Sequence, residues 1–590
     1  MTRLPLLDSF IGIAARTHAK WAYNRLVAAA NDARRVQEAV LQRQVAASRS
    51  SRFGLDHGLP EVRSYADFIQ RVPLQSYEDL RPYVERVMRG DTAALLGPEQ
   101  RIHLFAMTSG TTDRPKYVPV TSMFLKAYRR GWNAFGFKAM LDHPDAFLRP
   151  ILQVVSPMEV SRTPSGIPCG SISGFLAANQ KRLVRRYYVT PRETASIEDA
   201  DARYYTIMRF AVPSDVSWIV TASPATPVKL ARVAAENADR LLRDIHDGTL
   251  HPPAEISGDV RRRLAERLRP DPAAAKRIGE MASKRGGFYP KDYWRLAFLA
   301  NWTGGTLRLH LKDFATWFGD TPVRDIGLLA TEGRVTVGLE DHDPRGVLDV
   351  ESGFFEFIQE GDAGDPARAL RCHELTPGTV YRVIMSTAAG FLRYDLDDRV
   401  RVHGFLGQAP ILEFLHRGTH VSSVTGEKLT EWQVTTAMEK CCREMGVRLD
   451  SFVVAPQWGD PPHYRLYVEA APRNPDRLAD AFDRELSSLN VEYAAKRSSR
   501  RLGAVSVSTV AAGALAQFES RRREASKAAA EQYKPQFLLT EPGQDEEFSG
   551  ITEGQSLSAA ESALNSKTQC RGLSPTPKKH AAHEGDATVV

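Results

Sequence analysis

The sequence has little cysteine, no long apolar run and no dominant charge, and each shortage removes a class of protein. Five cysteines in 590 residues (Cys169, Cys372, Cys441, Cys442 and Cys570) include no C-x-x-C pair and no cluster with histidine. The odd count and the vicinal pair 441–442 argue against a disulfide framework or a structural zinc site, and predict idle thiols in a reducing compartment. No run reaches the roughly 18 apolar residues of a membrane-spanning helix. The apolar stretch over 4–15 is broken by Pro5, Asp8 and Ser9, and no small-residue cleavage site follows. Neither a signal peptide nor an anchor is predicted, so the expected location is cytoplasmic. Charge nearly balances, with 78 basic against 71 acidic residues and a net charge of +7. Arginine-rich runs at 181–186, 261–269 and 521–523 lack interleaved aromatics and read as solvated helix faces, so nucleic acid is not an expected partner. Internal repeats are absent. No Ser-His-Asp or Cys-His pattern points to an enzyme-bound acyl intermediate.

What is present is an ordinary globular composition, 43% hydrophobic and 25% charged, on a chain too long for one core. Two or more domains are predicted. Residues 1–47 carry apolar side chains at helical spacing (Trp21, Leu26, Val27, Val36, Val40, Leu41). Strands then alternate with helices: a helix over 123–140, a buried strand at 152–155, largely helical chain from about 223 to 285. That alternation predicts an α/β fold with mostly parallel sheets covered by helices.

The most informative stretch is Phe105-Ala106-Met107-Thr108-Ser109-Gly110-Thr111-Thr112-Asp113-Arg114-Pro115-Lys116. A strand-like run enters a loop of small residues and hydroxyls that a lysine closes. Gly110 lets backbone N–H groups approach a ligand, and a concave run of such groups binds anions. Ser109, Thr111 and Thr112 add hydroxyl donors, and Lys116 adds a cation that reaches phosphate oxygens. The spacing is not that of the Walker loop, whose lysine follows a glycine and opens a helix. Further on, Ile326-Gly327-Leu328-Leu329-Ala330-Thr331-Glu332-Gly333 places a carboxylate, Glu332, at the end of an apolar strand, where open α/β sheets bind ligands. Residues 380–402 read as two alternating strands turned at Gly390, with an acidic run Asp395-Leu396-Asp397-Asp398.

Thr-Ser-Gly-Thr-Thr-x-x-Pro-Lys resembles the phosphate loop of adenylate-forming enzymes. Over about 48–537 the chain resembles, more narrowly, the Gretchen Hagen 3 family of acyl acid–amido synthetases. The order Phe53-Gly54, Val72-Pro73, Tyr77-Glu78-Asp79-Leu80 and Tyr83-Val84-Glu85-Arg86 is similar to the family's approach to that loop, and Trp302-Thr303-Gly304-Gly305-Thr306 to its Gly-rich segment near the base and acyl site. Thr331-Glu332 resembles the family's Tyr-Ala-Ser-Ser-Glu, with Leu328 or Leu329 in place of the tyrosine. Asp398 falls where the family's Tyr-Arg-Tyr-Arg-x-Gly-Asp has its ribose-binding aspartate. Lys428, in Gly426-Glu427-Lys428-Leu429-Thr430-Glu431, falls on the hinge lysine. Glu531-Gln532-Tyr533-Lys534-Pro535 is similar to the C-terminal motif whose lysine enters the active site. Three acidic departures stand out: Asp113 replaces a glycine, and Asp395 and Asp397 replace an arginine and a glycine. Arg393, Arg399 and Arg401 are expected to balance the last two.

The resemblance implies a large adenylating domain over 1–421, a hinge at 422–429 and a small domain over 430–539, where a helix over 431–445, strands at 449–454 and 464–470 and a helix over 477–489 read as an α+β pattern. From about Thr540 to 590 few apolar anchors remain, and a disordered, dispensable tail is predicted. It also implies ATP and Mg²⁺ as cofactors, with a small carboxylic acid and an amino acid or other amine as substrates. Thr108, Ser109, Gly110, Thr111, Thr112 and Lys116 would hold the phosphates, Thr331 and Glu332 the nucleotide and its Mg²⁺, and Asp398 the ribose. Lys428 and Lys534 would be brought to the reaction by rotation of the small domain. An acyl-CoA ligase of the same superfamily, or a homologue that binds nucleotide without turnover, are the competing readings.

Overall fold

The computed structural model describes residues 5–108, 116–304, 311–360, 368–418, 421–425, 427–449, 451–469, 474–525 and 535–548. Thus Ser109, Gly110, Thr111, Thr112, Asp113 and Lys534, named above, lie outside the described residues. The chain divides into two compact units. The larger comprises Met1–Val421, Leu429–Thr436 and Ser520–Gln536, and the smaller Ser422–Lys428, Ala437–Glu519 and the chain from Phe537. The division therefore alternates along the chain rather than falling at one cut.

Seven helices dominate the start of the large unit: α1 (Pro5–Asn31), α2 (Ala33–Ser48), α3 (Arg52–Asp56), α4 (Tyr65–Arg71), α5 (Tyr77–Met88), α6 (Ser122–Asp142) and α7 (Ile172–Ala178). Local chemistry explains their starts. Ser64 and Ser76 form capping boxes with Asp67 and Asp79, so two otherwise orphaned backbone donors are satisfied at each N-terminus. Thr121 caps α6 through the Phe124 N–H.

Three sheets organise this unit. A parallel sheet has the order β3 (Ile151–Gln153), β6 (Trp218–Val220), β7 (Phe298–Asn301) and β8 (Val323–Asp325). Its nearly unbroken apolar strands, and the helices that follow between 200 and 285, make one core with Tyr205, Leu230, Leu241 and Ile278 at its centre. A second, mixed sheet runs β2 (Lys116–Thr121), β1 (Ile102–Thr108), β5 (Pro168–Gly170) and β4 (Ser161–Arg162). The third and largest is antiparallel throughout. Its order is β11 (Thr336–Gly338), β12 (Arg345–Leu348), β17 (Ala409–Arg417), β16 (Tyr394–Leu406), β15 (Val380–Ser386), β13 (Phe354–Gln359), β14 (Leu370–Arg371). The α/β class read from the sequence stands, with this antiparallel sheet beside the parallel one.

The smaller unit is α+β, as predicted from its pattern. Strands Phe452–Gln457 and His463–Val468 pair antiparallel, Ser506–Thr509 joins the second in parallel, and helix Pro475–Leu489 accompanies them. One boundary is corrected. The chain does not leave this unit at 539: Phe548 is 2% exposed, its ring 4.7 Å from Tyr467 and 4.8 Å from Phe518. Asp545 accepts hydrogen bonds from Tyr467 at 2.5 Å and from Gln457 at 2.6 Å. Two aromatic partners and two polar ones compensate the ordering of a segment whose composition looked too polar to pack. Residues 549–590 lie outside the described residues.

Candidate active site

The site begins at the open end of the β1–β2 hairpin. There Thr108 pairs with Lys116 across the two strands, so the seven-residue loop between them starts and ends at one place. The Lys116 ammonium stands 5.6 Å from the centroid of Tyr77, a cation–π contact. Tyr77 is fixed in turn: its hydroxyl accepts from the Tyr117 N–H at 2.6 Å, and its ring packs against Phe391. Burial pushes the Tyr77 phenol up to about 12, and the nearby charge of Glu332 acts in the same direction.

Glu332 reaches this place by a route the sequence did not foretell. The apolar run predicts a sheet strand ending at Glu332, but β8 ends at Asp325. Gly327, with φ +85°, then turns the chain away, because a Cβ there would meet the Thr336 carbonyl oxygen. The run continues as a small hairpin, β9 (Leu329–Ala330) and β10 (Gly333–Arg334), and Thr331 and Glu332 form its two-residue turn. Glu332 is only 7% exposed. Its partner is the Tyr394 hydroxyl; burial first, then this carboxylate, raise the Tyr394 phenol far above its ordinary value.

Tyr394 opens β16, and the alternation of that strand carries Asp398 to the same region. Asp398 is 2% exposed and pairs across the sheet with Arg417 of β17, whose Nε lies 2.8 Å from its Oδ1. This carboxylate is the main cause of a raised Arg417 pKa. Lys116, Tyr77, Glu332, Tyr394, Arg417 and Asp398 thus form a continuous succession of alternating cationic, phenolic and anionic groups. Tyr77, Tyr394 and Arg417 were not singled out from the sequence. Arg417 becomes a partner of Asp398 only through the β16–β17 register, in which two irregularities precede the pairing.

The acidic run is balanced, but by only one of the three residues expected. Arg399 does hold Asp397, at 2.9 Å. Asp395, however, faces Arg382 at 3.4 Å, and its Oδ1 accepts a hydrogen bond from the Asp397 N–H at 2.8 Å. Arg393 is fully buried, with Nε on Glu356 at 3.1 Å and Nη1 on the Val72 carbonyl at 2.9 Å. Arg401 lies over the Trp432 ring. Neither of these two compensates the acidic loop: Arg393 is committed to the core, and the alternation of β16 carries Arg401 beyond it. Asp397 sits at φ +58°, a conformation aspartate tolerates and glycine prefers.

The Trp302-Thr303-Gly304 segment is anchored by another unforeseen residue. Asp325, at the end of β8, accepts from the Thr303 N–H at 2.6 Å, the Thr303 hydroxyl at 2.8 Å and the Gly327 N–H at 2.7 Å. Burial raises its carboxyl to about 6 against these hydrogen bonds. The Trp302 indole N–H donates to the Gly327 carbonyl at 2.9 Å, which closes the same corner.

Lys428 belongs to the smaller unit and is described within it. It is exposed, at φ +48°, and its neighbour Glu427 is fully buried. The Glu427 carboxylate accepts from the Val424 and Thr425 N–H groups, both at 2.8 Å, and from the Tyr464 hydroxyl. Asn490 donates to the Glu427 carbonyl at 2.9 Å.

The fold is shared with a solved structure. AtGH3.15 acyl acid amido synthetase in complex with 2,4-DB aligns with a TM-score of 0.78 at 17% identity, over 91% of this chain and 97% of that one, which shows a shared fold. Family models then match in order: GH3 family N-terminal domain over 22–323, central domain over 346–417 and C-terminal domain over 432–543. The chain belongs to the GH3 family. Among curated relatives, jasmonoyl–L-amino acid synthetase JAR6 of Nicotiana attenuata is 24% identical over 515 residues, 82% of this chain and 87% of that one. Indole-3-acetic acid-amido synthetase GH3.10 of Arabidopsis thaliana is 23% identical over 462 residues, 72% and 78% respectively. No described helix is long and apolar enough to cross a membrane.

Proposed function

We propose that this protein is an ATP-dependent acyl acid–amido synthetase. A carboxylic acid attacks the α-phosphorus of ATP to give an acyl-adenylate and pyrophosphate. An amino acid or other amine then attacks the acyl carbon and expels AMP. The observation that carries this reading is the succession from Lys116 to Asp398, in a chain whose named relatives are amino acid synthetases. Asp398 uses one oxygen on Arg417, and the other has no protein partner among the described residues. That leaves an acceptor for ribose hydroxyls on a carboxylate held rigid by its neighbour.

Lys116 supplies a cation at the mouth of the loop, where Thr108, Ser109, Gly110, Thr111 and Thr112 are assigned to the phosphates by the resemblance. Thr331 and Glu332 face the nucleotide in this reading. Among the described residues no three His, Cys, Asp or Glu side chains converge as a metal cage. Mg²⁺ is accordingly assigned to Glu332 together with phosphate oxygens, the usual way this ion is held, and it would supply charge neutralisation on those oxygens. Lys428 is assigned to the hinge, where the two units divide between residues 428 and 429, and Lys534 to the reacting carboxylate. The cytoplasm is the proposed location.

Pyrophosphate exchange over a panel of carboxylic acids tests the first half-reaction, and amide formation over amino acids tests the second. Exchange with no acid would leave a nucleotide-binding homologue. Thioester formation with coenzyme A in place of amide formation would leave the acyl-CoA ligase. Removing Lys116 should weaken both ATP binding and exchange, because this cation meets the phosphates in the ground state. Removing Lys534 should cost on the order of a hundredfold in exchange with ATP binding nearly intact.

A further inference from the structure

At the other end of the β1–β2 hairpin, the large unit holds a cleft of about 560 Å³ between α1, α6 and α7. His103, on its wall, stands five residues before Thr108 on β1, roughly 17 Å at the usual strand rise, so the cleft is separate from the site described above. One face of α6 supplies Ser122, Lys126, Arg129 and Asn133, residues three and four apart that a helix necessarily stacks in a row. From α1 come His18, Trp21 and Arg25, and from α7 Phe175.

Two features set this cleft apart from an ordinary surface groove. The first is uncompensated positive charge. Arg25 is paired with Glu351 at 2.8 Å, and Arg130 with the same carboxylate at 3.2 Å. Lys126 and Arg129 have no carboxylate within ion-pair distance among the described residues. Burial, then Arg101 and Arg129, lower the His103 pKa, and its Nε2 stands 2.8 Å from the Ser122 hydroxyl. The second feature is aromatic lining. Trp21 is 57% exposed yet held by stacking on His18, with centroids 5.6 Å apart, and Phe175 lies 6.1 Å from His103. Aromatic rings from α1 and α7 and unpaired cations from α6, lining one cleft, match a planar ring that bears an anionic group.

We infer that this cleft is a second ligand site, which takes an aromatic carboxylate with its ring against Trp21 and Phe175 and its carboxylate on Lys126 and Arg129. The inference is independent of the proposed function, since none of these residues belongs to the succession from Lys116 to Asp398.

The test uses the full chain labelled with 5-fluorotryptophan, the Trp21 resonance being assigned from Trp21→Phe. Titration with 1-naphthoate should shift that resonance saturably, whereas the neutral 1-naphthalenemethanol at equal concentration should not. In Lys126→Gln/Arg129→Gln the midpoint should rise more than tenfold, with melting temperature and pyrophosphate exchange as in the parent. A still Trp21 resonance, equal response to the neutral alcohol, or an unchanged midpoint in the double variant would each overturn the proposal. A shift confined to other tryptophans, such as Trp302, would also overturn it by placing the ligand elsewhere. Failure of pyrophosphate exchange in the parent would bear on the proposed reaction and not on this site.

Discussion

Asp398 and Asp397 are adjacent carboxylates with different work. Asp398 is held by Arg417 through one oxygen and is proposed to offer the other to ribose, whereas Asp397 occupies a left-handed backbone position and pairs with Arg399. Asp398→Ala is therefore expected to weaken ATP binding by about 1–3 kcal/mol, the range for lost hydrogen bonds to a charged group, as read by calorimetry. Asp397→Gly exchanges a part-exposed ion pair for an unstrained backbone, so stability should move by less than about 1 kcal/mol and ATP affinity should hold or rise. The opposite pattern would show that the two roles are reversed. Asp325 offers a sharper test of hydrogen-bond chemistry. Both its oxygens accept, one from Gly327 and the other from Thr303. In Asp325→Asn the amide NH₂ must face a backbone N–H that cannot rotate away. A loss of about 1–3 kcal/mol is expected for the buried unpaired donors, measurable in urea unfolding, and an unchanged midpoint would refute the assignment of donors.

At the scale of the element, the β16–β17 pair carries Tyr394, Asp398 and Arg417, so whatever loosens that pair disturbs the site. His416 sits within it, opposite Arg399. Burial depresses the His416 pKa to about 4 from 6.5. The unfolded chain thus binds this proton from about pH 6.5 downward while the folded chain refuses it until about pH 4. Stability is full above 6.5 and falls through that window as the pH falls, by about 3 kcal/mol if the ring alone is counted. His416→Gln should flatten this part of the stability profile in denaturant titrations at pH 7, 6, 5 and 4. An identical slope in the variant would place the pH sensitivity elsewhere.

For the whole molecule, the relevant question is where the folded chain ends. Phe548 is enclosed by Tyr467 and Phe518, and Asp545 by Tyr467 and Gln457. A chain stopped after residue 548 should melt like the full protein. One stopped after residue 540 loses the burial of Phe548, about 1.5–3 kcal/mol for a phenylalanine, and leaves Tyr467 without its acceptor. Its melting temperature should drop. Equal melting of the two truncations would show that residues 541–548 contribute nothing to the smaller unit.

Much of this protein is legible without coordinates, for a physical reason: local signals are written in consecutive residues. Alternation marked β15 and β16. The helix Glu431–Met445 and the α+β character of the smaller unit followed from spacing alone. Lys116, Glu332 and Asp398 were nameable because motifs repeat residue types at fixed separations. Tertiary structure decided what depends on distant segments. It turned the run after Asp325 into a hairpin that buries Glu332, it gave Asp398 the partner Arg417, and it set Arg382 rather than Arg393 or Arg401 against Asp395. It also drew a polar segment into the smaller unit through Phe548. No pattern of neighbours encodes such choices, because register, burial and charge pairing are settled only when strands far apart in the chain are brought side by side.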